Sequence, residues 1–127
     1  MNVLIVDDAA DIRLMLRYAL GHLGFSVAEA ASGVEALEIL ESEPLPDAVV
    51  LDIQMPLMDG LETLRSIRRS VRASSLPIVL CSVKSREVDL EEGWRLGCDG
   101  YVTKPFDIDD IVEAIRAAIA RRNGAAV

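Results

Sequence analysis

The chain predicts an α/β protein, a doubly wound (βα)5 fold with five parallel strands in one sheet. Two observations point there. Short apolar runs alternate with stretches of helical periodicity from end to end, the pattern of repeated βα units. Three of those runs also close on charged residues: Val3–Val6 on Asp7-Asp8, Ala48–Leu51 on Asp52, and Gly100–Thr103 on Lys104-Pro105. In a parallel sheet these charges fall on the carboxyl edge, where such folds hold their ligands. With 127 residues, 51% of them hydrophobic, the chain suits one compact domain with a real core. Residues 1–122 read as that domain and 123–127 as a frayed tail.

The first strand, Val3–Val6, is apolar throughout, as a strand covered on both faces is. A helix follows with Ile12, Met15, Leu16, Ala19, Leu20 and Leu23 as one inward stripe and Gly24 as its C-cap glycine. Ser26–Ala30 alternates polar and apolar, so it reads as an edge strand. Ser32 starts a second helix through Val34, Ala36, Leu37 and Leu40, which stops near Pro44 and Pro46. Ala48–Leu51 is again a central strand. Asp59-Gly60 opens a third helix with Leu61, Leu64, Ile67 and Val71 inward. Pro77 precedes the strand Ile78–Ser82, and a fourth helix runs from about Arg86 to Leu96, closed by Gly97. Gly100–Thr103 is the last strand. Asp107 is a plausible N-cap for a fifth helix that buries Ile108, Ile111, Val112, Ile115 and Ile119.

A formal charge of −8 argues against a nucleic-acid surface, since phosphate binding needs clustered Lys and Arg. No apolar run is long enough to cross a bilayer and none has the form of a secretion leader, so the expected location is the cytoplasm. Cys81 and Cys98 lack metal-ligand spacing and read as small core residues. His22 is the one histidine, on the order of 15 Å along the first helix from Asp7-Asp8. That separation excludes a Ser-His-Asp hydrolase.

Aligned strand ends bring Asp7, Asp8, Asp52, Ser82 and Lys104 together. Carboxylates that close repel, so holding them ionised takes a divalent cation and a positive neighbour. Mg²⁺ prefers such oxygen ligands and reaches for phosphate oxygens. A phosphoryl group entering the site would meet the metal, Lys104 and the Ser82 hydroxyl. Asp52, on the middle strand, is then the nucleophile.

Four stretches carry a resemblance: Val3–Asp8, Val49–Gly60 with its Asp52-Ile53-Gln54-Met55-Pro56 core, Pro77–Ser82, and Gly97–Phe106 with Lys104-Pro105. Together they resemble the receiver domain of two-component response regulators, of the chemotaxis-receiver kind, along essentially the whole chain. The resemblance implies a flavodoxin-like, three-layer fold with strand order 2-1-3-4-5. It implies Asp52 as phosphoacceptor, Mg²⁺ held directly by Asp8, Asp52 and the Gln54 backbone carbonyl, and Asp7 reaching it through water. Lys104 would pair with the phosphoryl group through a cis Lys104-Pro105 peptide, and Ser82 with Tyr101 would form the switch. The implied phosphodonor is a sensor histidine kinase or phosphotransfer protein, and the acyl phosphate is later hydrolysed. No separate enzyme activity is implied.

Departures from the family pattern are Ala9-Ala10 in place of the frequent Glu-Pro, and Val83 where a small residue is usual. Val83 is expected to narrow access to the phosphoryl site, with Lys84 attracting anionic donors. Ser82 could instead be a strand-end hydroxyl bonding its own backbone, and Tyr101 a half-buried strand aromatic. Leu90 and Trp94, four apart, form a second apolar stripe on the fourth helix if Val88 and Leu96 point inward. Beside Tyr101 that stripe would suit an output protein or a second copy, though exposed apolar residues are ordinary. A haloacid-dehalogenase-type phosphatase is the alternative, but it wants Asp-x-Asp where this chain has adjacent aspartates. A pseudo-receiver that only binds proteins would not need every catalytic position filled. A flavodoxin-like cofactor protein would need a phosphate-cradling loop, and Asp7-Asp8 would repel phosphate there.

Overall fold

In the computed structural model, which describes residues 1–83 and 87–124, strands and helices alternate along the chain. The elements are β1 (Asn2–Val6), α1 (Ala10–His22), β2 (Ser26–Ala30), α2 (Gly33–Ser42), β3 (Ala48–Asp52), α3 (Gly60–Arg69), β4 (Ile78–Val83), α4 (Glu87–Leu96), β5 (Gly100–Lys104) and α5 (Ile108–Arg122). The strands form one sheet in the order β2-β1-β3-β4-β5, every neighbouring pair parallel. The predicted architecture and strand order are those found.

Side chains alternate across a strand, so each central strand feeds two cores. Leu4, Val6, Val49, Leu51, Ile78 and Leu80 pack with Ala36, Leu40, Leu64 and Ile67 of α2 and α3. Val3, Ile5, Val50, Val79 and Cys81 pack on the other face with Leu16, Leu20, Ile111 and Ile115 of α1 and α5. β3 is buried along its whole length, whereas β2 is half exposed, as expected of a centre and an edge. Both cysteines are buried and free.

Ser32 and Asp59 cap α2 and α3 by accepting the backbone N–H groups of Glu35 and Glu62. At α5 the Asp110 carboxylate accepts the Asp107 N–H. Gly24 and Gly97 take φ of 92° and 98° just past α1 and α4, a region that favours glycine.

Several expected inward positions are not inward. Met15 and Leu23 are exposed, because α1 buries only the narrow face carrying Leu16 and Leu20 and the helix has ended before Leu23. Val34 is exposed in the first turn of α2. α3 stops at Arg69, so Val71 falls in the following turn, out in solvent. The largest departure is Val88, 80% exposed. The inward face of α4 carries Asp89, Gly93 and Leu96 instead. Gly93 sets that face: a Cβ there would lie 2.5 Å from Leu80 Cδ1, so the helix backbone sits directly on the sheet.

Leu57, fully exposed between β3 and α3, has a φ of 67°, left-handed for a residue with a side chain. That geometry costs about 1–2 kcal/mol, against about 0.5–1 kcal/mol lost to the freedom of an unfolded glycine. Leu57→Gly is therefore expected to stabilise the fold by about 0.5 kcal/mol. Urea denaturation reads the change, and a loss of stability would contradict the strain.

Candidate functional site

β1, β3 and β5 deliver their charges to one edge because the strands run parallel and in register, Val6 beside Leu51 and Val83 beside Lys104. Asp7 and Asp52 are buried there, at 4% and 3% exposure, while Asp8 is exposed. One carboxylate oxygen from each of the three lies within 4.8 Å of the others. Lys104 Nζ donates to Asp7 Oδ2 and to Asp52 Oδ1, both at 3.1 Å, and the Lys104-Pro105 peptide is cis. Asp7 Oδ1 accepts the Ala9 N–H at 2.9 Å. Both Asp7 oxygens are thus engaged, whereas Asp8 has no hydrogen bond or ion pair of its own among the described residues.

Burial, then repulsion from Asp7, pushes the Asp52 carboxyl up from 3.8 to about 6, with Lys104 opposing. Burial would lower Lys104, but the attraction of Asp52 and Asp7 outweighs it and holds the ammonium above its ordinary value. Cys81, beside Asp52 in register, is pushed by burial to about 12 and stays a thiol. Three carboxylates against one ammonium leave excess negative charge on hard oxygen donors. That donor set fits a divalent cation such as Mg²⁺.

Ser82, fully buried, accepts from Gln54 Nε2 at 2.8 Å, and the same amide reaches Asp89 Oδ2 of α4 at 3.4 Å. The Gln54 side chain thus bridges β4 and α4, a contact not foreseen when Gln54 was considered for its backbone carbonyl. Val83 stands at the rim, 42% exposed. Lys84 lies outside the described residues. Tyr101 is half-buried against the core on the α4 side of the sheet. Leu90 is half-buried too, so the expected outer stripe of Leu90 and Trp94 is only partly exposed. The exposed Trp94 lies under Arg121, whose guanidinium carbon is 5.6 Å from the ring centre. His22 is on the surface at the far end of α1, edge-on to Tyr18.

Arg13 was missed. From the first turns of α1 it donates Nη1 to the Asp7 backbone carbonyl at 2.7 Å and Nε to Glu29 Oε1 at 3.2 Å. The signal was present, since Arg13 shares the helical face of Leu16 and Leu20 at spacings that point inward. At the opposite end of the sheet the buried Asp99 accepts from Arg68, Arg122 and the Ile78 N–H, and Arg68 with Arg122 also donates to the Gly97 carbonyl. That cluster ties the ends of α3, α4 and α5 together.

Residues 3–116 match the family model for the response regulator receiver domain. A probable transcriptional regulator, ycf27, of Guillardia theta is 41% identical over 98% of this chain and 48% of its own length. The response regulator MprA of Mycobacterium avium is 38% identical over 95% of the chain and 52% of its own. The chain therefore spans about half the length of these curated relatives. Among solved structures, the chemotaxis protein CheY4 of Vibrio cholerae superposes with a TM-score of 0.85 at 29% identity, covering 92% of this chain and 97% of that one. Sheet order, charged edge and sequence match coincide over nearly the whole length, and this chain belongs to the family of response regulator receiver domains.

Proposed function

We propose that Asp52 is the phosphoacceptor of a signalling switch spanning residues 1–122. The observation that carries this is a single buried carboxylate on the central strand, with one oxygen on Lys104 and two further carboxylates within ion-sharing distance. The phosphoryl group comes from the phosphohistidine of a sensor histidine kinase or phosphotransfer protein, in the cytoplasm where ATP charges the kinase. An Asp52 oxygen attacks phosphorus in line, the P–N bond breaks and the imidazole leaves. Bound Mg²⁺ supplies charge neutralisation and orients the phosphoryl oxygens. Asp8, whose oxygens make no hydrogen bond or ion pair among the described residues, would hold it directly together with Asp52 and the Gln54 backbone carbonyl. Asp7, with both oxygens engaged, serves through water. Lys104 pairs with a phosphoryl oxygen, and Ser82 turns its hydroxyl from Gln54 to donate to another. Water later attacks phosphorus, breaks the P–O bond and restores the carboxylate. The chain is a switch that promotes its own phosphorylation and dephosphorylation. The readout face is that of Leu90, Trp94 and Tyr101, used by an output protein or a second copy.

Incubation with acetyl phosphate and Mg²⁺ is expected to add one phosphoryl group, labile to base and to hydroxylamine as acyl phosphates are. Equal labelling of Asp52→Asn would overturn the assignment.

Val83 tunes the rate. Its branched side chain stands at the rim beside Lys104 in the sheet register, where it hinders the in-line approach of donor and water alike. Val83→Ala is expected to speed both labelling by acetyl phosphate and loss of the label by a few-fold, corresponding to about 1 kcal/mol of barrier. Rates at matched Mg²⁺ decide it: no change in either step removes the gate.

A further inference from the structure

The three carboxylates of the site differ in how they are held. Asp52 is fixed by β3 and Lys104, and Asp7 by Lys104 and the Ala9 N–H. Asp8 is exposed and has no such hold among the described residues. The backbone around it lacks two common restraints: no proline stands between Asp7 and α1, and Ala9 gives the helix no side-chain cap. One side chain takes hold of the backbone of this loop. Arg13 Nη1 donates to the Asp7 carbonyl at 2.7 Å. That oxygen belongs to the planar peptide joining Asp7 to Asp8, so fixing its direction fixes the plane from which the Asp8 side chain departs.

Arg13 is itself held. Its Nε donates to Glu29 Oε1 at 3.2 Å, and Arg17 Nη1 takes the other Glu29 oxygen at 3.0 Å. Glu29 sits on β2, and the next residue, Ala30, accepts the Asp7 N–H through its carbonyl. β2 thus holds the Asp7 N–H directly and the Asp7 carbonyl through Arg13. The guanidinium plane lets two donors keep a fixed angle between the carboxylate and the carbonyl, which a lysine ammonium on a flexible stem does not.

We infer that Arg13, anchored by Glu29, is a positioning residue for the cation site, aiming Asp8 by clamping the Asp7–Asp8 peptide. The inference rests on the reading of Asp7, Asp8 and Asp52 as that site. Partners that orient ligands from behind typically account for about 10–100-fold in metal affinity, and a backbone clamp belongs at the lower end.

The test is calorimetric titration of the whole chain with Mg²⁺, beside acetyl phosphate labelling across a Mg²⁺ series. Arg13→Met, which keeps the apolar stem, is expected to weaken Mg²⁺ binding about tenfold while the labelling rate at saturating Mg²⁺ stays near wild type. Arg13→Lys should leave most of that loss in place. Glu29→Gln, a change on the half-exposed edge strand, should give a smaller loss in the same direction, and it carries the test if Arg13→Met fails to fold. Mg²⁺ affinity within twofold of wild type in Arg13→Met, or in Glu29→Gln where that variant stands in, overturns the inference. So does full rescue by Arg13→Lys, which would make charge the cause. Asp8→Asn separates the two levels: if it too binds Mg²⁺ like wild type, the site reading fails, whereas a weak Asp8→Asn beside a normal Arg13→Met defeats the clamp alone.

Discussion

Asp52→Asn, the substitution that removes the proposed phosphoacceptor, is expected to make the protein more stable at pH 7 by roughly 3 kcal/mol when no divalent cation is present. In the folded chain the Asp52 carboxyl titrates at about 6, against 3.8 when unperturbed, because burial and Asp7 disfavour its charged form more than Lys104 favours it. A group whose folded pKa is raised binds its proton more tightly in the folded state. The stability it lends is complete below about pH 4 and lost as pH rises to about 6, and above that the folded chain carries the full penalty of a buried charge among like charges. Asn has the same shape and no charge, so wild type and variant should match near pH 4 and diverge up to pH 6, with a constant gap beyond. Urea unfolding in the presence of a chelator at pH 4, 5, 6 and 7 measures it. Adding Mg²⁺ should narrow the gap by supplying the missing positive charge. A gap that does not vary with pH would show that desolvation of Asp52 is not its source.

Gly60→Ala is expected to destabilise by about 3 kcal/mol and to impair labelling of Asp52 as well. A Cβ at residue 60 would stand 2.3 Å from the Asp52 carbonyl oxygen, 2.7 Å from Ile53 Cα and 2.9 Å from the Asp52 carbonyl carbon. All three are backbone atoms at the end of β3, two of them belonging to Asp52 itself, so no rotamer change relieves the clash. The Gly60 N–H bonds the Ile53 carbonyl at 2.9 Å, which shows how closely the start of α3 is set against the end of β3. Gly21→Ala is the control: nothing lies within 4 Å of that position in α1, and a gain of about 1 kcal/mol is expected there. Thermal unfolding of both variants with acetyl phosphate labelling separates them. If Gly60→Ala unfolds like wild type, the strand end tolerates a shift and its geometry is not what places Asp52.

The order of elements was legible because central strands in a parallel sheet are apolar on both sides, so Val3–Val6, Ala48–Leu51 and Ile78–Ser82 stand out from the amphipathic helices between them. The site was legible for a related reason: charge at the end of an apolar run is conspicuous, and parallel strands leave few places for it to go. Helix faces were harder to read. In α4 the inward side is taken by a glycine, where backbone rests on Leu80, and by an aspartate that shares the Gln54 amide with Ser82. Neither contributes to an apolar stripe, so Val88 was assigned inward on hydrophobicity and lies in solvent. Arg13 escaped notice because a charged residue in a first helical turn usually faces water, and its partners are a backbone carbonyl and a carboxylate on an edge strand. The bonds themselves leave no trace in the sequence, and only the spacing of Arg13 from Leu16 and Leu20 points inward.

The contact between Lys104 and Asp7 joins residues 97 apart in the chain, and that with Asp52 joins residues 52 apart. Synthesis runs from the amino terminus, so every carboxylate of the pocket leaves the ribosome well before the ammonium that balances it. Closing loops of this length is slow compared with forming a helix or a hairpin, and the entropy lost grows with the logarithm of their length. A chain interrupted before β5 therefore lacks the ammonium that Asp7 and Asp52 share. The balance of charge at this edge of the sheet waits on the last strand to pair, since the ammonium that the two buried carboxylates share arrives with β5.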